Sequence, residues 1–135
     1  MRRFSRSTGT LLIATGVLHA LVGLSFAAKP VKAIVDDGVF NAVDPHPDRQ
    51  YWFWFMVTGW LTVLIGQLTR RFERRGGTPP AFLGWHLLAL SAVGAVLMPI
   101  SGLWLLIPQG ILVLRAARRR EATPRTASPA AVRAG

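Results

Sequence analysis

The sequence predicts an all-α fold: a four-helix transmembrane bundle with a short extracytoplasmic interfacial helix between spans one and two. Three observations predict it. Of the 135 residues 51% are hydrophobic and the mean hydropathy is positive, a balance foreign to most water-soluble domains of this size. Charged residues leave uncharged runs from Ser7 to Ala28, from Gln50 to Thr69 and from Gly76 to Leu114. A bilayer crossing takes about 20 apolar residues, so the first two runs cross once each and the third is long enough to cross twice. Finally, the arginines fall on one side of such a path. Arg2, Arg3, Arg6, Arg70, Arg71, Arg74, Arg75, Arg115, Arg118, Arg119, Arg120, Arg125 and Arg133 share that side with only Glu73 and Glu121, giving it about +11. The other side holds Lys29, Lys32 and Arg49 against Asp36, Asp37, Asp44 and Asp48, about −1, and the two make up the net +10. Basic flanks stay cytoplasmic, so both termini are expected inside a cell (inner) membrane.

The spans follow in order at about 8–28, 50–69, 80–98 and 101–116 within a membrane domain of residues 1–118. The first ends in Ser25 and Ala27, which satisfy a small-x-small cleavage pattern after a basic start. Its 22-residue uncharged run exceeds the core of a signal peptide, so it is read as a retained helix. Between spans one and two, Val31, Ile34, Val35, Val39 and Val43 keep near-helical spacing and predict an outer interfacial helix over about 31–43. Asp44 is expected to cap, and Pro45 to occupy, the start of the helix leading into span two. Tyr51, Trp52, Phe53, Trp54 and Phe55 form an aromatic belt at its outer start, as Phe82 and Trp85 do at the inner start of span three. Pro79 and Pro80 open span three after a glycine pair, and Met98 to Gly102 offer the turn before span four. Pro108 is expected to loosen span four next to Gln109. Residues 119–135 read as a disordered basic cytoplasmic tail.

Small residues recur every seven positions: Gly9, Gly16 and Gly23 in span one, Gly59 and Gly66 in span two, Gly84 and Ser91 in span three. In lipid, such positions let helix backbones approach closely.

Candidate chemistry is sparse. With no cysteine, disulfides and thiolate sites are excluded. There is no G-x-S-x-G elbow, H-E-x-x-H pair or phosphate loop, so no enzyme is expected. RAARRR at 115–120 directly follows a span and is assigned to topology and anionic lipid contact, not to nucleic acid. Intramembrane polar groups are the best site indicators, because an unpaired one is costly in hydrocarbon. His19, Gln67, His86 and Gln109 are the large ones, and rise per residue puts them in reach of one inner-half pocket, His19 deepest at about 15 Å. Haem held by His19 and His86 would have to bridge a depth offset of about 6 Å, and no cofactor is expected. Asp44, His46 and Asp48 form a weaker metal alternative whose spacing matches no ligand pattern.

The segments DGVFN (37–41), FWF (53–55), FLGW (82–85) and LMPISGLWLLIP (97–108) together resemble an uncharacterised family of small bacterial four-span membrane proteins. A looser likeness is to DoxX-like four-helix membrane proteins. The resemblance implies architecture and no activity. Two readings follow: a non-enzymatic membrane module meeting lipid, a partner protein or a second copy of itself, or a small carrier using the polar pocket. Small multidrug exporters share the length, but their pattern has a glutamate in the first span where this chain has only His19.

Overall fold

The computed structural model describes residues 8–44 and 46–122. Among them are five α-helices and no strand: α1 (Thr8–Ser25), α2 (Ala28–Asp36), α3 (Pro47–Arg74), α4 (Ala81–Leu97) and α5 (Leu106–Glu121). A 3-10 turn at Gly102–Leu105 leads directly into α5.

Two helix pairs organise these elements. α1 and α3 lie antiparallel along their length, as the sequence of close approaches shows: Gly9 against Arg70, Gly66 against Ile13, Gly16 against Gly59 and Val63, Gly23 against Phe55 and Met56. α4 and α5 form the second antiparallel pair, with Gly84 against Gly110 and Leu114, and Gly94 against Leu103. Small residues thus sit at the contacts, as their seven-residue spacing predicts. The pairs join through α1, which touches α5, and through a cluster of Leu12, Leu87 and Leu106 flanked by Leu83 and Leu103.

Burial is inverted relative to a water-soluble bundle. On α1 the buried residues are Thr8, Gly9, Leu12, Gly16 and Gly23, while Leu11, Val17, Leu18, Leu21, Val22 and Leu24 are exposed. On α3, Gly59, Gly66 and Thr69 are buried while Trp54, Trp60, Leu64, Leu68 and Phe72 face out.

The expected elements need five corrections. The outer helix stops at Asp36, because Gly38, Val39 and Asn41 take positive φ values of 81°, 70° and 54° that no α-helix accommodates. Val39 and Val43 therefore fall outside it. α3 begins at Pro47 with His46 as its N-cap residue, two positions after the expected cap, and Asp44 instead accepts a hydrogen bond from the Gln50 amide. It also runs on to Arg74, five residues past the uncharged run. A Schellman closure ends it: Gly77 N–H bonds to Phe72 O and Gly76 N–H to Glu73 O, with Gly76 at φ 77° where a side chain would be strained. Pro108 lies in the first turn of α5, where its missing N–H has no helical carbonyl to serve, so it starts a helix and kinks none. α5 continues through Arg118, Arg119 and Arg120, which takes residues 119–121 out of the expected tail. The rest of that tail, from 123, lies outside the described residues, as do Arg2, Arg3 and Arg6.

Two helices, α1 and α3, are long and apolar enough to cross a membrane, and α4 is apolar but shorter at 17 residues.

Candidate functional site

The four polar residues of the expected inner pocket are not brought together. His19 lies in the C-terminal half of α1, stacked on Phe55 with centroids 3.8 Å apart, and its Nε2–H donates to the Phe55 carbonyl at 2.9 Å. A carbonyl only accepts, so this bond fixes the tautomer. Gln67 lies twelve residues further along α3 than that partner, about 18 Å at helical rise, and is exposed. His86 is also exposed and donates from Nδ1 to Phe82 O, one turn back in its own helix, at 2.8 Å. Gln109 alone is buried between the helix pairs, its Nε2 donating to Thr15 Oγ1 at 2.7 Å and to Leu105 O at 2.9 Å. The Leu105 carbonyl settles which end of that amide carries nitrogen, and it leaves Gln109 Oε1 buried with no hydrogen-bond partner among the described residues. His19, His86 and Gln109 are each engaged where their helix leaves them, and Gln67 is exposed. One shared cavity does not form, and His19 and His86 present no common space for haem.

Nor do Asp44, His46 and Asp48 converge: among the described residues no three His, Asp or Glu side chains form a metal-sized cluster. The ordered feature of that loop is Arg49. It is 8% exposed, pairs with Asp37 at 2.7 Å and donates to the Ala42 carbonyl, so one guanidinium holds both ends of the turn after α2. Trp52 adds a tie from α3 to the end of α1, its Nε1–H donating to Gly23 O at 3.1 Å.

The end of the α1–α3 pair where α1 starts and α3 finishes holds what sequence reasoning missed. Glu73 is 2% exposed, and its carboxylate accepts the backbone N–H of Thr8 at Oε1 (3.1 Å) and of Gly9 at Oε2 (3.3 Å). These are first-turn amides of α1, which have no partner inside their own helix, and a carboxylate there also meets the positive end of the helix dipole. A lone acid among Arg70, Arg71, Arg74 and Arg75 was the available signal, but its partner lies 65 residues away.

Next to that cap, Gln67, Arg70, Arg71 and Arg74 share one face of the last two turns of α3 by their spacing of three, four and seven residues. With Ile13 of α1 they line an open groove of about 400 Å³. Arg70 is half-buried and Arg71 and Arg74 are exposed, and none of the three forms an ion pair with a described residue. Gln67 thus belongs to a basic groove at the C-terminal end of α3 and not to a pocket with the histidines.

No curated protein and no solved structure is similar enough to match the chain. A protein-family match covers residues 3–120, all five helices up to the last residue but one of α5. The chain therefore belongs to a family of unknown function, DUF6463.

Proposed function

We propose that this protein is an integral membrane protein without catalytic activity, crossing the membrane four times with both termini cytoplasmic, and acting through contacts with lipid or a partner protein. The observation that carries this reading is the inversion of burial: glycines and hydroxyl residues at the helix contacts, leucines, valines and tryptophans outside. In water, that outer surface would be an apolar patch far beyond what a monomer tolerates; in hydrocarbon it is matched to its solvent, and close backbone packing at small residues supplies the cohesion. α4 spans about 25 Å at helical rise, a few ångström short of the hydrocarbon core. The exposed Met98 and Ile100 just beyond its end extend its apolar length. A carrier would need a polar cavity between the helices, and the separate positions of His19, Gln67, His86 and Gln109 do not favour one.

The chain has no cysteine, so single cysteines can report its topology. Phe40→Cys and Ile100→Cys, both highly exposed, are expected to react with a membrane-impermeant maleimide from outside intact cells. Thr78→Cys is expected to react only after the membrane is opened, and the chain to stay in the membrane pellet through alkaline carbonate. Release by carbonate would overturn the membrane reading, and protection of the Ile100→Cys variant from the outside reagent would overturn four crossings.

A further inference from the structure

We infer that the groove of Ile13, Gln67, Arg70, Arg71 and Arg74 is a binding site for the phosphate-bearing headgroup of an anionic phospholipid. The inference rests on the membrane reading above for the source of the ligand and on the groove alone for its chemistry. Three guanidiniums are donors only and the Gln67 amide adds two more N–H donors beside its carbonyl, and guanidinium forks match phosphate oxygens two at a time. The local acid competes only in part: Glu73 turns both carboxylate oxygens onto the amides of Thr8 and Gly9 and shares its charge with Arg70, while no described residue forms a direct ion pair with Arg70, Arg71 or Arg74. The concavity therefore presents a surplus of positive charge, which a topology signal does not require. A volume of about 400 Å³ falls in the range of about 300–1,000 Å³ that small-molecule sites occupy.

The lining is also graded along the helix axis. Arg74 lies nearest the inner end of α3, Arg70 and Arg71 one turn deeper, and Gln67 and Ile13 deeper still towards the apolar run. A phosphodiester seated among the arginines directs its glycerol oxygens at the Gln67 amide and its acyl chains past Ile13 into hydrocarbon. A free phosphate would use the arginines and leave the deeper wall idle. Basic pockets between helices on the cytoplasmic side are where anionic headgroups are expected to dock.

The test uses the full chain in a mild neutral detergent, with phosphatidylglycerol, phosphatidylcholine or inorganic phosphate added, read by native mass spectrometry and by thermal unfolding. Phosphatidylglycerol is expected to bind about tenfold or more tightly than phosphatidylcholine, and the double variant Arg71→Gln/Arg74→Gln, both positions exposed, to lose that preference. Gln67→Ala is expected to weaken phosphatidylglycerol and leave inorganic phosphate unchanged. The charge-matched control Arg118→Gln/Arg120→Gln on α5 is expected to keep the preference. Equal binding of the two lipids, or equal loss in both double variants, would overturn the site. Protection by inorganic phosphate equal to that by phosphatidylglycerol, lost in Arg71→Gln/Arg74→Gln, would keep the groove as a phosphate site and overturn the lipid source. Carbonate extraction of the same chain separates failure of the groove from failure of the membrane reading, because a chain that stays in the pellet without lipid preference loses only the groove.

Discussion

The α1–α3 pair and the α4–α5 pair are both antiparallel, yet they are held by different atoms. In the first, backbone meets backbone: a Cβ on Gly9 would lie 2.3 Å from Arg70 N, one on Gly66 2.6 Å from Ile13 N, and one on Gly16 2.8 Å from Gly59 O. The contact is then closed at one end by Glu73 on the α1 amides and at the other by Trp52 on Gly23 O. In the second pair, side chains mediate much of the contact. A Cβ on Gly94 would meet only atoms of the Leu103 side chain, and Ser91 Oγ bridges the carbonyls of Leu87 and Leu103. Backbone cannot step aside as the far end of a leucine can, so the first pair should be rigid along its length, while the second is rigid where added Cβ atoms on Gly84 and Gly110 would meet each other's carbonyls at 2.9 Å and adaptable at its Gly94 end.

Glycine substitutions break this comparison most directly. Gly9→Ala and Gly66→Ala each force α1 and α3 apart by pressing on main chain, and each is expected to cost about 3 kcal/mol or more. Gly94→Ala presses on the far end of Leu103, which a rotamer change clears, and on its Cβ at 2.8 Å, which only a small shift of the turn carrying it clears, and is expected to cost about 1–2 kcal/mol. Reversible unfolding of the three variants in mixed micelles measures the ordering, and an equal loss at all three positions would contradict the assignment of rigidity to the first pair.

The next largest effect is expected at the end cap. Glu73→Ala removes the acceptor for two buried amides of α1, and leaving them unpaired is expected to cost about 2–3 kcal/mol. Glu73→Gln keeps one side-chain carbonyl for them and gives up the favourable meeting of charge and helix dipole, about 0.5–1 kcal/mol. Hydrogen exchange should localise the damage: in Glu73→Ala, protection falls in the first turn of α1 and stays unchanged in α4. Equal loss from Ala and Gln would mean that the charge, and not the hydrogen bonds, holds the helix start.

The same contrast explains what could be read without coordinates. The helices were legible because their signals are local: uncharged runs bounded by arginines, and small residues at spacing seven that do lie at Gly9, Gly16, Gly59, Gly66 and Gly84 contacts. The outer helix was overextended because Val39 continues the apolar spacing while its φ of 70° breaks the helix, a conformation a β-branched residue rarely adopts. The polar pocket failed for a related reason. Depth along a helix can be counted, but facing cannot be inferred until neighbours are known, and α1 presents His19 to α3 and Thr15 to α5. The Glu73 cap joins residues 65 apart in sequence, a pairing that only the fold supplies, while the arginine face beside it is local in spacing but gains its concavity only from Ile13 of the neighbouring helix.

The smallest effect is expected where the two pairs meet, at Gln109. Its Nε2 hydrogen bond to Thr15 ties α5 to α1, while its buried Oε1 has no partner among the described residues. Gln109→Leu therefore removes one inter-helix hydrogen bond and one unsatisfied acceptor together, two changes of opposite sign that leave stability within about 1 kcal/mol. What the substitution should change is alignment, because a polar contact between otherwise apolar helices has few equivalent positions and leucine has many. Spin labels at Leu18 and Ile111, both exposed, are expected to show a wider distance distribution in Gln109→Leu than in the parent chain, with the mean little altered. An unchanged distribution would assign the joint to the Leu12, Leu87 and Leu106 cluster alone.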